Sequence, residues 1–175
     1  MDSEILIIIA LFIFIALWIF LAIYIMRGFF VDTPFYPSRL KQIDEAWAAL
    51  ELPSDGKNFV DLGSGDGRTV LWASQRGMKA TGVELNPYLN LLARLRNVFN
   101  PKKDLVTFKN ENFLKTDLKD YDIVYLYIYR SFMNKLKDKL FTELKPGSTI
   151  VSNVFGFDGI EPDETYKRFK IYRIK

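Results

Sequence analysis

The residues best suited to chemistry sit in one loop, D-L-G-S-G-D-G-R at positions 61–68. Its glycines, Gly63, Gly65 and Gly67, permit a tight turn and let a ligand approach the backbone closely. A dinucleotide fingerprint reads G-x-G-x-x-G and places a pyrophosphate on the following helix N-terminus. This loop reads G-x-G-x-G and carries Asp61 and Asp66. Two carboxylates repel a pyrophosphate and favour a cation such as a sulfonium or an amino group. Glu84 lies 23 residues beyond Asp61, where a carboxylate can accept both hydroxyls of a ribose. A glycine turn beside an unrelated surface acid is the bland reading of the same residues, and Glu84 at that spacing argues against it.

These residues need strands and helices to position them. Residues 58–62 form a short apolar run before the glycine loop, and 69–76 read as the helix after it. Residues 79–85 read as a second strand. Asn86 with Pro87 caps a helix over 87–99. Further strands are expected over 105–110, 122–128, 148–155 and 166–174, with a helix over 131–144. The 122–128 run is apolar throughout, as in a strand buried on both faces. Ser38 is placed to cap a helix over 39–50 that shows Leu40, Ile43, Trp47 and Leu50 on one face. Strands alternating with helices predict an α/β fold, a parallel Rossmann-like sheet with flanking helices and right-handed crossovers. Ligands then sit beyond the carboxyl ends of the strands, where the glycine loop and Glu84 both fall. The pattern points to S-adenosylmethionine (SAM) rather than NAD.

Ahead of this domain, residues 5–26 carry no charge. As a helix that run spans roughly 33 Å, enough for a hydrocarbon core of about 30 Å. A cleaved signal peptide fits poorly: only Asp2 and Glu4 are charged before the run, the run is too long, and no A-x-A site follows. The expected organisation is a transmembrane helix over 5–26, a linker and cofactor-covering segment over 27–38, and a catalytic domain over 39–175. Arg27, Arg39 and Lys41 follow the run and no basic residue precedes it. The positive-inside rule therefore predicts a single-pass protein with its N-terminus outside and its domain facing the cytoplasm. All 24 basic side chains and 19 of the 21 acidic ones follow residue 26, and this excess suits a domain near anionic headgroups. No basic stripe with interleaved aromatics is present, so no nucleic-acid partner is expected. The chain has no Cys and no His, which excludes Cys/His zinc sites and Cys or His catalysis, and no metal is expected.

V-D-L-G-S-G-D-G-R followed by G-V-E-L-N-P closely resembles motif I and the next acidic motif of class I SAM-dependent methyltransferases. A narrower resemblance rests on P-F-Y-P-S, E-L-N-P-Y-L, N-F-L and E-L-K-P-G-S-T-I-V-S. These look like a small protein-lysine methyltransferase family that includes broad-specificity archaeal enzymes and membrane-anchored mitochondrial ones acting on inner-membrane proteins. The resemblance implies SAM as cofactor and the lysine of a protein as acceptor. It assigns Asp61, Gly63, Ser64, Gly65, Asp66 and Gly67 to the methionine part of SAM and Glu84 to its ribose. It assigns Asn112 to the adenine amine, Phe113 to the adenine ring, and Phe35, Tyr36 and Ser38 to a segment folding over the cofactor. Bland readings stand beside these: Asn112 as a turn cap, Phe113 as core, Ser38 as a helix cap. Tyr127, Tyr129, Asn153 and Phe155 are candidates for an acceptor channel, since Tyr125, Tyr127 and Tyr129 alternate at the end of one strand. No general base is identifiable. The chain departs from the family in having Arg39 where many relatives have a second proline, and in a short tail that leaves room for only an abbreviated final hairpin. A small or lipid-like methyl acceptor, such as a quinone or headgroup, and a non-catalytic SAM-binding protein are the alternative readings.

Overall fold

The computed structural model describes residues 3–29 and 36–175. The chain divides into two compact units, Met1–Pro34 and Phe35–Lys175. The first holds helix α1, Ser3–Phe29, whose large apolar side chains from Ile5 to Leu21 are exposed on every side. Among the described residues it is the one helix long and apolar enough to cross a membrane, over Glu4–Ala22.

The second unit contains strands β1 Asn58–Leu62, β2 Lys79–Val83, β3 Val106–Lys109, β4 Ile123–Leu126, β5 Thr149–Asn153, β6 Glu164–Tyr166 and β7 Phe169–Arg173. Its helices are α2 Leu40–Ala49, α3 Arg68–Gln75, α4 Pro87–Val98 and α5 Arg130–Glu143. The strands make one sheet in the order β3-β2-β1-β4-β5-β7-β6. Strands β1 to β5 run parallel, with helices in every crossover but β3 to β4, which holds only a 3-10 turn, while β7 enters antiparallel between β5 and β6. The order reverses at β1, so the space between the ends of β1 and β4 is the switch point at which such sheets bind ligands.

Strand alternation sorts the core onto two faces. Phe59, Ala80, Tyr125, Val151 and Ile171 pack with Ile43 and Trp47 of α2 and with Val70, Trp72 and Ala73 of α3. Val60, Leu62, Val124, Leu126, Ile150 and Tyr172 pack with Met133, Leu136 and Leu140 of α5. Strands β4 and β5 are buried along their whole length, as helices on both faces dictate.

Three expectations are corrected. The N-cap of α2 is Arg39, without a side-chain cap, and the Ser38 hydroxyl instead meets Tyr125 across the sheet. The expected strand over 166–174 is a hairpin, because Lys167 adopts φ 52° and folds Tyr166 back onto Phe169. The strand over 148–155 stops at Asn153, because Val154 has φ 85°. By contrast, Asn86 caps α4, accepting from the backbone of Tyr88 and Leu89 with Pro87 in the first turn.

Candidate cofactor and acceptor site

Strand β1 delivers Asp61 to the face shared with α2 and α3. Register sets it beside Gly82 of β2 and Tyr125 of β4, and Tyr125 beside Val151 of β5. Asp61 is 3% exposed. Burial, then the negative charge of Glu84, pushes its carboxyl well above the usual range, and a hydrogen bond with Thr69 opposes the rise. Among the described residues no cation pairs with it. Asp66 lies in the opposite environment. Burial would raise its carboxyl, but Arg68 and Arg96 both pair with it and hold it below the usual range. Of the two loop carboxylates, Asp61 is therefore the one left for a positive ligand group.

Glu84 ties the loop to the next helix. Its two oxygens accept from the backbone N–H of Gly65 (2.8 Å) and of Asn86 (2.7 Å). A carboxylate offers about four lone-pair directions, so each oxygen retains one for a further donor such as a ribose hydroxyl. Gly63 is exposed at φ 86°, a left-handed conformation that leaves the loop mouth bare. Ser64 is buried, with no partner for its Oγ. Gly67 faces inward: a Cβ there would stand 2.6 Å from Ala93 Cβ and 2.8 Å from the Phe108 ring. It brings α4 and β3 against the loop rather than opening space for a ligand. An unneutralised Asp61, the spare acceptor directions of Glu84 and the bare backbone at Gly63 together fit a ligand with a cationic end and a diol, as SAM has.

The expected adenine residues lie after β3. Asn112 Oδ1 accepts from the Leu114 backbone and caps the 3-10 turn Phe113–Lys115, leaving the amide NH2 for a ligand. Phe113 is half-buried, edge-on to Phe132 of α5 at 5.6 Å. In the segment expected to cover the cofactor, Tyr36 is 71% exposed and Ser38 is buried. The expectation for Phe35 lies outside the described residues.

The acceptor-side candidates separate. The Tyr125 hydroxyl meets Ser38 Oγ (3.1 Å) and accepts from Asn153 Nδ2 (2.9 Å). Burial pushes that phenol upward, so it stays neutral. Asn153 is buried and its Oδ1 has no partner. The Tyr127 hydroxyl accepts from Arg168 (3.0 Å), whose guanidinium stands 5.2 Å from the ring centroid. Tyr129 does not share this arrangement, because β4 ends at Leu126 and Tyr129 is the exposed N-cap of α5. Phe155 also turns away: the left-handed Val154 breaks the alternation and Phe155 packs with the α5-side core. Arg168 is a residue that sequence reasoning missed. It sits in a two-residue hairpin turn, and nothing local signals that the turn reaches back to β4.

A family model described as the ANTKMT methyltransferase domain matches residues 61–164, from Asp61 to the start of β6. The chain belongs to this family. A lysine N-methyltransferase of Caenorhabditis elegans, named for an ATP synthase subunit, is 31% identical over 124 residues, 68% of this chain and 65% of its own. The adenine nucleotide translocase lysine N-methyltransferase of Mus musculus is 35% identical over 133 residues, 75% of this chain and 57% of its own. The chain thus spans under two thirds of these two relatives. A protein-lysine N-methyltransferase of Saccharolobus islandicus is 31% identical over 77% of this chain and 84% of its own length. Among solved structures, an RNA methyltransferase from Salinibacter ruber in complex with S-adenosylhomocysteine superposes with a TM-score of 0.72 at 30% identity, covering 79% of this chain and 92% of that one. The fold of this ANTKMT-family chain is the Rossmann-like class I methyltransferase fold, with its glycine loop at the switch point.

Proposed function

We propose that the chain is a SAM-dependent protein-lysine methyltransferase held to a membrane by α1. The observation that carries the cofactor is Asp61, buried at the switch point without a cation. Asp61 and the Gly63–Gly65 backbone would hold the methionine end, Glu84 the ribose, and Asn112 with Phe113 the adenine. Bound there, SAM supplies an electrophilic methyl group on a sulfonium. The names of the relatives, which act on lysines, support lysine as acceptor.

The acceptor lysine must enter neutral, its proton released to solvent water, and the chain must aim its nitrogen. Asn153 Oδ1 is a buried acceptor without a donor, and a lysine nitrogen would satisfy it. The face of Tyr127 can guide the incoming cation. Burial of the ammonium beside the Arg168 guanidinium disfavours its charge and favours the neutral, nucleophilic amine. The hydrogen bond from Ser38 to Tyr125 would hold the segment ahead of α2 on this side. The domain would face the cytoplasm, with Arg27 on that side of the span.

The test incubates the purified full chain, methyl-labelled SAM and a host membrane extract, then separates protein, lipid and RNA. Label recovered as methyl-lysine is the expected result. Label in lipid or quinone would replace the acceptor while keeping cofactor and fold, and label in RNA would transfer the acceptor named for the solved neighbour. SAM binding without turnover on any fraction would make this a SAM-binding protein.

A further inference from the structure

We propose that α4 is an interfacial helix that lays the domain on an anionic lipid surface, a second membrane contact separate from α1. Beyond α1, the exposed large apolar side chains among the described residues are Tyr36, Leu85, Leu91, Leu92, Leu95, Val98, Phe99 and Tyr129. Six of these eight lie on α4 or within two residues of its ends. Scattered exposed leucines are ordinary, but a contiguous group marks an interaction surface.

The pattern within α4 is inverted for a helix folded only onto its own sheet. The side chains it buries are Asn90 and Ala93. Those it shows to solvent include Leu91 (55% exposed), Leu95 (56%) and Val98 (64%), followed by Phe99 (89%). At about 100° per residue, Val98, Leu91, Leu95 and Leu92 fill an arc of about 120°, with Arg94 about 40° before it and Arg96 about 40° after it. An apolar stripe with an arginine on each border is the geometry of a helix lying in the headgroup layer, where long basic side chains reach up to phosphates. The surrounding charge selects the lipid. Residues 87–110 carry Arg94, Arg96, Lys102, Lys103 and Lys109 against one acid, Asp104. Arg94 donates to Asn90 and to the Phe108 carbonyl and Arg96 shares its charge with Asp66, whereas among the described residues no carboxylate pairs with Lys102 or Lys103, which supply the free positive charge. An apolar stripe in a basic surround complements an anionic bilayer. A second copy of the same face would set like charges against each other.

The experiment uses the full chain in vesicles. The chain has no cysteine, so Leu95→Cys gives a unique nitroxide site on the stripe, with Val98→Cys as a second and Asp138→Cys on the exposed surface of α5 as a control. Accessibility to oxygen and to a water-soluble nickel chelate is read in vesicles of equal parts phosphatidylcholine and phosphatidylglycerol, and in phosphatidylcholine alone. The expected result is loss of nickel accessibility with high oxygen accessibility at positions 95 and 98 in the anionic vesicles, reversed in phosphatidylcholine or high salt. Position 138 should stay open to nickel throughout. Nickel accessibility at 95 and 98 in anionic vesicles overturns the proposal, as does equal shielding in both lipids. Shielding from both reagents with spin–spin broadening would assign the face to a second copy and overturn it too. The reading is spectroscopic, so it stands apart from whether the acceptor is lysine.

Discussion

Asp61 concentrates the chemistry because its carboxyl is buried with a hydrogen bond from Thr69 but, among the described residues, no cation to neutralise it. Its carboxyl is held up first by burial and then by Glu84. Below the ordinary aspartate range, folded and unfolded chains are both protonated there. As pH rises past that range the unfolded chain releases the proton while the folded one keeps it, so this residue lowers the stability of the ligand-free protein until pH passes the folded value. A cationic ligand favours the ionised form, so SAM affinity should rise with pH through the same window. Asp61→Asn should remove that pH dependence and weaken SAM by about tenfold or more (~1.4 kcal/mol), while leaving the ligand-free melting temperature equal or higher. Calorimetric titration and thermal melts at several pH values check both halves, and an unchanged affinity would remove Asp61 from the site. On the acceptor side, Arg168→Gln should shift the rising limb of the pH–rate profile upward, since a neighbouring cation no longer opposes the lysine charge. A merely structural role for Arg168 would change the rate without moving the profile.

At the scale of elements, side chains far apart in sequence tie the neighbouring strands β4 and β5 to the segment ahead of α2. Tyr125 of β4 joins Ser38, ahead of α2, to Asn153 of β5. Tyr125→Phe leaves both partners buried without that hydroxyl and should cost about 1–3 kcal/mol in urea unfolding. A loss within error of zero would mean that water takes its place. Gly67 governs the approach of α4 and β3. Gly67→Ala adds a methyl against Ala93 and Phe108 in a left-handed conformation, and should destabilise by about 1–3 kcal/mol through packing. Saturating SAM should not restore the loss if the effect is packing alone.

For the whole molecule, an apolar helix precedes a class I methyltransferase fold. The asymmetry of charge around α1 predicts the topology. With Ser3→Cys and, separately, Asp138→Cys expressed in a bacterial host, an impermeant maleimide should label position 3 in intact cells and position 138 only after lysis. The reverse pattern would invert the orientation and place the SAM loop on the side where Arg27 was not expected.

The sequence alone determined the features set by short spacing. G-x-G-x-G after an apolar run requires a tight loop at a strand end, Asn86-Pro87 requires a helix start, and an uncharged apolar stretch before Arg27 is long enough as a helix to cross a membrane. Each is a property of neighbouring residues, so each is legible one residue after another. The tertiary structure decided what depends on residues far apart in sequence. Asp66 looks like Asp61 in the chain, yet folding brings Arg96 from α4 onto it and leaves Asp61 alone. Ser38 looks like a cap, yet the sheet delivers Tyr125 to its hydroxyl. Tyr129 and Phe155 continue an alternation that the backbone abandons at Leu126 and Val154. Helix α4 was legible from its cap, yet only packing puts Asn90 and Ala93 against the sheet and leaves Leu91 and Leu95 outside, because a periodic pattern shows that a stripe exists and not which side of it meets the sheet.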